Sequence, residues 1–336
     1  MPKVSVLMAV YNAAPYLHES LDSLLAQTLA DFEVICIDDC STDDSLAILN
    51  DYARRDSRVV VVRQERNQGQ AHARNAGLKV AKGELIAFLD SDDSMSPDCL
   101  EQAVAVFDRH PQADCVLLHV TIVEQGTGKT SDYPMEPFTV MSGYEGFERC
   151  IDWSIHGWYV ARRELYDRFP YDATCKSYSD DNTTRQHYFH SREVRYCQGT
   201  YYYRNYPYSV TRKVSVRRFD YLKANESMKR QLQELGVERR IMEQYEAIRV
   251  LVLVDSYMVY HCHGKELPVD DRRFALGEMR RVWGNIDRSL LKSDKVHKFG
   301  YRLPPLVDVP PAGVALLHPA WCIGEKQIRT FFCRLQ

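Results

Sequence analysis

The first 125 residues alternate between short apolar runs and stretches with apolar side chains on one helical face. Nearly all-apolar runs are typical of strands buried on both faces of a parallel sheet. The runs are residues 4–10, 32–37, 59–63, 85–89 and 115–123. Segments with apolar residues every three or four positions separate them, as in helices packed on a sheet. The pattern predicts an α/β fold with a mostly parallel sheet flanked by helices.

Polar residues collect where the predicted strands end. Tyr11 follows the first strand, Asp38 and Asp39 follow the second, and Asp90–Asp93 follow the fourth. Parallel sheets bind ligands outside the carboxyl ends of their strands, so this edge is the predicted binding site. Ser41 is predicted to cap the helix after the second strand.

The chain changes character twice after residue 125. Residues 126–215 are rich in aromatic and turn residues, and the pattern becomes helical from about Arg217. We therefore expect one domain over residues 1–215 and a mainly helical C-terminal region over residues 216–336.

Composition and charge narrow the class of protein. The 336 residues are 45% hydrophobic and 26% charged, as in ordinary globular domains. A net charge of −3 argues against a protein held to nucleic acid mainly by phosphate contacts. The apolar runs are far shorter than the roughly 20 residues of a membrane-spanning helix, and the start lacks an export signal. The cysteines stand singly, so we expect reduced thiols in a cytoplasmic protein.

The acidic run Asp90-Ser91-Asp92-Asp93 is the strongest chemical signal. Three carboxylates within four residues repel one another, and a divalent cation would offset that repulsion. Mg²⁺ and Mn²⁺ prefer oxygen ligands and leave positions for substrate phosphates. A solvated acidic turn that caps the next helix explains the same residues.

Three segments, in this order, resemble the family 2 glycosyltransferases of the GT-A fold. They are VSVLMAVYNAAPYLHESLDSLLAQTLADFEVICIDDCSTDDS, NQGQAHARNAGLKVAKGELIAFLDSDD and YSDDNTTRQHYF. The resemblance is close over residues 3–108 and looser to about 212. It implies an enzyme that moves a sugar from a nucleotide diphosphate to an acceptor hydroxyl with inversion. Residues 1–125 would bind the donor and residues 126–215 the acceptor.

The resemblance also implies roles in donor binding. Tyr11 would cover the uracil ring, and Asp39 would accept its N3–H, which favours a UDP-sugar. Arg74 would contact the base or the phosphates. Asp92 would bind Mn²⁺ or Mg²⁺, with Asp90 at the ribose or in the metal shell. The remaining residues expected at the nucleotide-sugar site are Ala9 and Ser91.

A general base is expected in the acceptor half, because an acceptor hydroxyl has a pKa far above 7. In similar enzymes the base is usually the second residue of a Glu-Asp pair before a helix. Here the pair is Asp180-Asp181. The resemblance therefore implies Asp181 as the base, with Asp180 as the alternative. Adjacent carboxylates are expected to raise each other's pKa. An acidic helix N-terminus explains the same pair.

The chain departs from the family pattern near residue 206. Similar enzymes often carry a histidine there, where this chain has Tyr206 and Tyr208. Arg204 or Arg212 is expected to hold the diphosphate instead, because a guanidinium binds phosphate bidentately. A hairpin with exposed arginines is the alternative. Trp158 is expected to stack on the acceptor, or else to belong to an aromatic core.

Two other functions stay open at this point. One is a non-catalytic nucleotide-sugar-binding or scaffold protein, which would not need Asp181. The other is a sugar-1-phosphate nucleotidyltransferase, which needs a glycine-rich basic loop that residues 10–14 do not offer.

The acceptor implied by the resemblance is a saccharide or a lipid-linked glycan of surface polysaccharide synthesis. Apolar and basic residues between 316 and 334 fit a peripheral contact with the inner face of the cell membrane, or an ordinary buried face. The sequence leaves the oligomeric state open.

Overall fold

The computed structural model describes residues 1–206, 215–291, 297–298 and 301–302. These residues fall into two compact units. The first spans Met1–Lys176 and Asp180–Ser209, and the second spans Ser177–Ser179 and Val210–Gln336. Arg212, Tyr208 and the apolar and basic residues between 316 and 334 lie outside the described residues.

A central sheet organises the first unit. Its strands are β1 (Val4–Val10), β2 (Phe32–Asp38), β3 (Val59–Arg63), β4 (Leu85–Phe88), β5 (Ser94–Met95), β6 (Ala113–Glu124), β7 (Thr130–Asp132), β8 (Val140–Ser142), β9 (Tyr159–Arg162) and β10 (Glu193–Asn205). The strand order is β3-β2-β1-β4-β9-β6-β10-β5, with β7 paired to β6 and β8 paired to β10.

Helices alternate with these strands, as the hydrophobic pattern predicts. They are α1 (Ala14–Leu25), α2 (Ser45–Arg55), α3 (Gln70–Leu78), α4 (Cys99–Arg109), α5 (Gly143–Ile151), α6 (Arg163–Arg168) and α7 (Asp180–His190). One core of buried side chains joins the sheet to α1 and α4, including Val6, Val34, Leu17 and Phe107. Burial of such side chains is the main favourable contribution to folding.

The parallel half of the sheet positions the candidate site. β1 pairs in parallel with β2, from Val4 opposite Phe32 to Val10 opposite Asp38. β1 also pairs in parallel with β4, where Leu7 lies opposite Phe88. The segments that follow these three strands therefore leave the sheet at one edge.

The second half of the sheet is mixed. The run at residues 115–123 lies in β6, as predicted, but β9 separates it from β4 and is antiparallel to both neighbours. Two short runs near residues 194–203 belong to one strand, β10, which is parallel to β6 with a register shift between Tyr196 and Thr200. The predicted α/β fold is confirmed.

Ser41 does not cap a helix, which corrects that expectation. α2 begins at Ser45. Ser41 Oγ instead accepts a hydrogen bond from the backbone N–H of Asn12 at 3.1 Å. The carboxylate of Asp43 likewise accepts from the N–H of Ala14 at 3.1 Å. The loop after β2 is thus tied to the loop after β1, whose backbone donors need partners.

The second unit is mainly helical in its described part, as predicted, and also contains a short antiparallel pair, β11 (His297–Lys298) and β12 (Tyr301–Arg302). It contains α8 (Asp220–Glu234), α9 (Arg239–His263) and α10 (Val269–Gly284). Fully buried Arg249 and Glu246 form an ion pair at 2.6 Å. No helix in the described ranges has the length and apolarity needed to cross a bilayer.

Candidate active site

The edge formed by the carboxyl ends of β1, β2 and β4 carries the predicted donor residues. Tyr11, directly after β1, is 40% exposed. Ala9 is half-buried in β1, opposite Ile37. Asp39 follows β2 and is 3% exposed. The structure brings these residues to one edge, as the parallel register requires.

The carboxylate of Asp39 holds the loop between β3 and α3. It accepts hydrogen bonds from the backbone N–H of Gln68 at 2.9 Å and of Gly69 at 2.8 Å. Gly69 has φ of +95°, and a Cβ there would overlap the backbone of Lys176. Lys176 Nζ donates to the carbonyl of Asn67 at 3.1 Å. The region around Lys176 therefore packs directly on the Asp39-held loop.

The acidic segment after β4 is a turn anchored by its last carboxylate. The N–H of Asp93 donates to the carbonyl of Asp90 at 3.1 Å. The carboxylate of Asp93 accepts from the hydroxyl of Tyr201 and from the N–H of Arg204, each at 2.7 Å. Burial raises the pKa of Asp93 well above its ordinary value. Asp93 thus fixes the turn to β10.

Asp92 is the carboxylate of this turn that is available to a ligand. It is half-buried, and its Oδ2 accepts a hydrogen bond from the phenol of Tyr206 at 2.9 Å. Within the described part of the chain, its Oδ1 has no hydrogen-bond partner. Burial and the charge of Asp92 raise the pKa of Tyr206, so the phenol stays protonated and donates. Ser91 is half-buried, and its backbone carbonyl accepts a hydrogen bond from Ser20 Oγ at 3.0 Å. This bond orients the turn.

Arg74 is buried between two carboxylates. Its side chain is 2% exposed and lies 2.5 Å from Asp90 Oδ1 and 3.1 Å from Asp180 Oδ2. The guanidinium also lies over the rings of Phe88, at 4.4 Å, and Tyr171, at 5.3 Å. Burial alone would lower the pKa of Arg74. The nearby acidic groups, Asp90 foremost, outweigh burial, so the pKa of Arg74 lies above its ordinary value. The repulsion that suggested a cation is thus offset in part by this arginine.

Asp180 belongs to the same buried cluster. Besides Arg74, the side-chain amide of Gln70 donates to Asp180 Oδ2. Burial raises the pKa of Asp180, Arg74 opposes that shift, and Asp90 reinforces it. The charge of Asp90, across the site, therefore reinforces the shift, whereas a mutual effect of Asp180 and Asp181 stays a prediction.

Asp181 has different surroundings from Asp180. The pKa of Tyr133 and the pKa of Cys150 are both raised to about 12. Burial is the larger cause, and the charge of Asp181 adds to it. Consecutive residues in a helix point about 100° apart, so one carboxylate enters the Arg74 cluster while the other faces elsewhere. The pair is therefore divided between two environments at the start of α7.

Arg204 is engaged with its own chain. Its Nε donates to the carbonyl of Asp92 at 2.7 Å, and its guanidinium pairs with Glu19 at 2.5 Å. It also lies over the ring of Tyr16 at 5.4 Å. In this arrangement Arg204 braces the acidic turn against α1. Its role at a diphosphate stays a prediction.

Trp158 packs within a cluster of aromatic rings. Its ring centroid lies 5.7 Å from Tyr201, 5.5 Å from Tyr203 and 6.2 Å from Tyr133. It is partly buried against the main core. These contacts favour the aromatic-core interpretation over an open acceptor platform.

Sequence reasoning missed Gln70, Lys176 and Tyr201. Tyr201 is fully buried and bonds to the acidic turn, whereas the next residue, Tyr202, is 36% exposed. Strand alternation was the available signal, because every second residue of a strand faces the same side. For Gln70 and Lys176 there was no local signal, because their partners lie about 110 residues away in the chain.

The parallel half-sheet, its acidic carboxyl edge and the mixed second half define a fold of the GT-A class. The UDP-GlcNAc complex of S. aureus TarS 1-349 matches with a TM-score of 0.65 at 20% identity, over 86% of this chain and 82% of that chain. The mannosyltransferase PcManGT from Pyrobaculum calidifontis, solved with GDP-Man and Mn²⁺, gives 0.53 at 16% identity, over 86% and 85%. At these identities the likeness shows the fold alone.

The family follows from the sequence comparison. Residues 5–168 match the model of Glycosyl transferase family 2. The putative glycosyltransferase EpsH of Bacillus subtilis (strain 168) is 32% identical over 233 residues, which are 65% of this chain and 65% of that protein. The match thus spans just under two thirds of the relative's length. Residues 5–168 therefore match glycosyl transferase family 2, as the resemblance predicted.

Proposed function

We propose that this protein is an inverting glycosyltransferase that moves a sugar from a UDP-sugar to a hydroxyl of a saccharide or lipid-linked glycan. The observation that carries the proposal is the bridge made by Arg74. It links Asp90, at the donor edge, to Asp180, at the start of α7. Donor-side carboxylates and a candidate base thereby belong to one site.

The uridine preference rests on Tyr11 and Asp39. The exposed ring of Tyr11 offers a face for a base, and Asp39 lies behind the neighbouring loop with a carboxylate that already accepts backbone N–H groups. A further N–H, that of uracil N3, suits the same acceptor. The structure of TarS with UDP-GlcNAc supports a uridine donor for this fold.

The acidic turn suits a divalent cation held through Asp92. No group of three His, Cys, Asp or Glu side chains within the described ranges is arranged as a metal cage. Asp92 has an accessible carboxylate, whereas Asp90 is held by Arg74 and Asp93 by β10. One carboxylate with substrate phosphates and water is a common way to bind Mg²⁺, and Mn²⁺ accepts the same ligands. When bound, the cation would stabilise the negative charge of the leaving diphosphate. The Mn²⁺ in PcManGT supports this assignment.

The chemical step assigned to this chain is removal of a proton from the acceptor. We assign it to Asp181, which lies outside the Arg74 cluster, and keep Asp180 as the alternative. Asp180 is committed to Arg74 and Gln70, so it is poorly placed to receive a proton from a substrate. Attack by the activated hydroxyl opposite the leaving group would invert the anomeric carbon in one step.

The remaining assignments follow the resemblance. Residues 1–125 would bind the donor, residues 126–215 the acceptor, and residues 216–336 would form the helical extension. Arg204 and Arg212 are proposed near the diphosphate, whereas Trp158 is assigned to the aromatic core and not to the acceptor. Synthesis of a surface polysaccharide at the inner face of the membrane is the proposed setting.

Thermal unfolding with a panel of nucleotides tests the proposal. UDP, GDP, CDP, dTDP and NAD would each be added with Mn²⁺ and with EDTA. UDP with Mn²⁺ should stabilise the protein by about 2.7 kcal/mol at 100 times its Kd. Asp39→Asn should lose the preference for UDP, whereas the exposed control Asp44→Asn should keep it. No response to any nucleotide, or a stronger response to another base, would contradict the UDP-sugar assignment.

A further inference from the structure

Arg74 joins two parts of the site that are far apart in sequence. Asp90 follows β4, whereas Asp180 begins α7, yet both carboxylates lie within 3.1 Å of the one guanidinium. The side chain is 2% exposed and is flanked by the rings of Phe88 and Tyr171. The guanidinium is thus enclosed by protein groups and turned away from solvent.

We propose that Arg74 is a positioning residue, which sets the base-bearing end of α7 against the donor-side turn and does not itself contact the nucleotide. The proposal rests on the glycosyltransferase function proposed above. It gives Arg74 a role different from the base or phosphate contact implied by the family resemblance.

One face of α3 holds the segment that leads into α7. Gln70 and Arg74 lie four residues apart, so they share that face, and both donate to Asp180. The next residue, Asn75, donates to the carbonyl of Tyr171 at 2.8 Å and accepts from its N–H at 2.9 Å. α3 therefore fixes both ends of residues 171–180.

The guanidinium fork is suited to this task. Its two terminal nitrogens donate to different carboxylates: Nη2 donates to Asp90 and Nη1 donates to Asp180. A lysine supplies the same charge as a single point on a flexible stem and does not reproduce the fork. Because Asp181 is covalently next to Asp180, a shift of Asp180 also moves the proposed base. Misplacement by about 1 Å can cost about 100-fold in rate.

The test compares Arg74→Lys, Arg74→Met and Asp180→Asn with the wild-type protein. Binding of UDP with Mn²⁺ would be measured by calorimetry, and kcat and KM by release of UDP from the UDP-sugar that the wild type uses. Arg163→Met is the matched control, because the Arg163 guanidinium lies beyond the other end of α3. It donates to backbone carbonyls, including that of Ala81 at 2.6 Å, and pairs with Asp167 at 3.7 Å.

We expect Arg74→Lys and Asp180→Asn to bind UDP within about threefold of wild type while kcat falls at least tenfold, towards the 100-fold of a misplaced base. KM for the donor should change little, and Arg163→Met should lower only the Tm. If Arg74→Met does not fold, the two milder variants still decide the question.

Two results would overturn the positioning role alone. One is a wild-type kcat in both Arg74→Lys and Asp180→Asn. The other is a large loss of UDP affinity in Arg74→Lys with full transfer in Asp180→Asn, which would make Arg74 a direct donor contact. A wild-type protein that binds no nucleotide would instead overturn the proposed function itself, so the two failures are distinct.

Discussion

The phenol of Tyr206 donates a 2.9 Å hydrogen bond to Oδ2 of Asp92. This is the carboxylate proposed to bind the cation, and similar enzymes often carry a histidine near this position. A phenol whose pKa is raised by burial stays a donor at neutral pH, whereas an imidazole is itself a ligand. In this chain the phenol of Tyr206 therefore orients Asp92, and coordination of the proposed cation would fall to the carboxylate.

Replacing Tyr206 by phenylalanine should weaken Mn²⁺-dependent binding of UDP about tenfold, because a partner that orients a metal ligand is commonly worth 10–100-fold in affinity. Calorimetric titration of UDP with Mn²⁺ measures the effect. Tyr202→Phe is the matched control, since Tyr202 is exposed on β10, the strand that ends just before Tyr206. Equal affinities for the two variants would show that the phenol does not support the metal site.

Asp181→Asn should abolish sugar transfer while leaving UDP binding and the Tm close to wild type. The amide keeps the size of the side chain but cannot accept a proton at neutral pH. Release of UDP from the UDP-sugar in the presence of acceptor reports transfer. Exposed Asp31→Asn serves as a control that should keep full activity. An active Asp181→Asn protein would move the base to Asp180, whereas a wild-type protein that binds UDP but transfers no sugar would favour a scaffold.

Gly69→Ala should destabilise the protein more than Gly126→Ala. Both glycines have φ near +95°, so both substitutions carry a backbone cost of about 1–2 kcal/mol. A Cβ at Gly126 meets open space, whereas at Gly69 it meets the backbone of Lys176. We expect an additional cost of about 1–3 kcal/mol at Gly69 from this overlap, measured by urea unfolding. Equal costs would mean that the region around Lys176 does not press on this loop.

The protein should lose stability in mild acid through two buried histidines. Burial lowers the pKa of His156 to about 3 and of His187 to about 4, below the ordinary 6.5. Their neutral forms stabilise the fold above about pH 6.5, and this contribution is lost as the pH falls, because only the unfolded chain takes up the protons. At pH 5 the loss is about 2 kcal/mol per histidine relative to pH 7.

Urea unfolding at pH 7 and pH 5 measures this loss. His156→Gln should lose less stability than wild type between the two pH values. His110→Gln, at the end of α4, should lose as much as wild type. An unchanged pH dependence in His156→Gln would show that this histidine is accessible to protons in the folded protein.

Local patterns were sufficient to predict the strands of the N-terminal part of the sheet. All-apolar runs located β1 to β4, and the rule for parallel sheets gathered Tyr11, Asp39 and the acidic turn at one edge. The antiparallel insertion of β9 was not predictable, because four residues give little periodicity and their pairing depends on distant strands.

The position of the predicted residues at this edge followed from the sequence, but their contacts did not. Asp90 was expected near a metal or the ribose, and the structure pairs it with Arg74. An arginine on a helix is usually exposed. The burial of Arg74 depends on Asp180, which lies 106 residues further along the chain. No local sequence pattern therefore predicts this burial.

The direction of β9 has a consequence for how such enzymes diversify. Because β9 runs against β4, with Leu85 opposite Arg162, the chain enters β9 at the same edge of the sheet where β4 leaves it. The segment between β6 and β9 can therefore change in length or composition without altering the register among β1, β2, β3 and β4. If residues 126–215 bind the acceptor as proposed, exchange of that segment would graft a new acceptor specificity onto an unchanged donor framework.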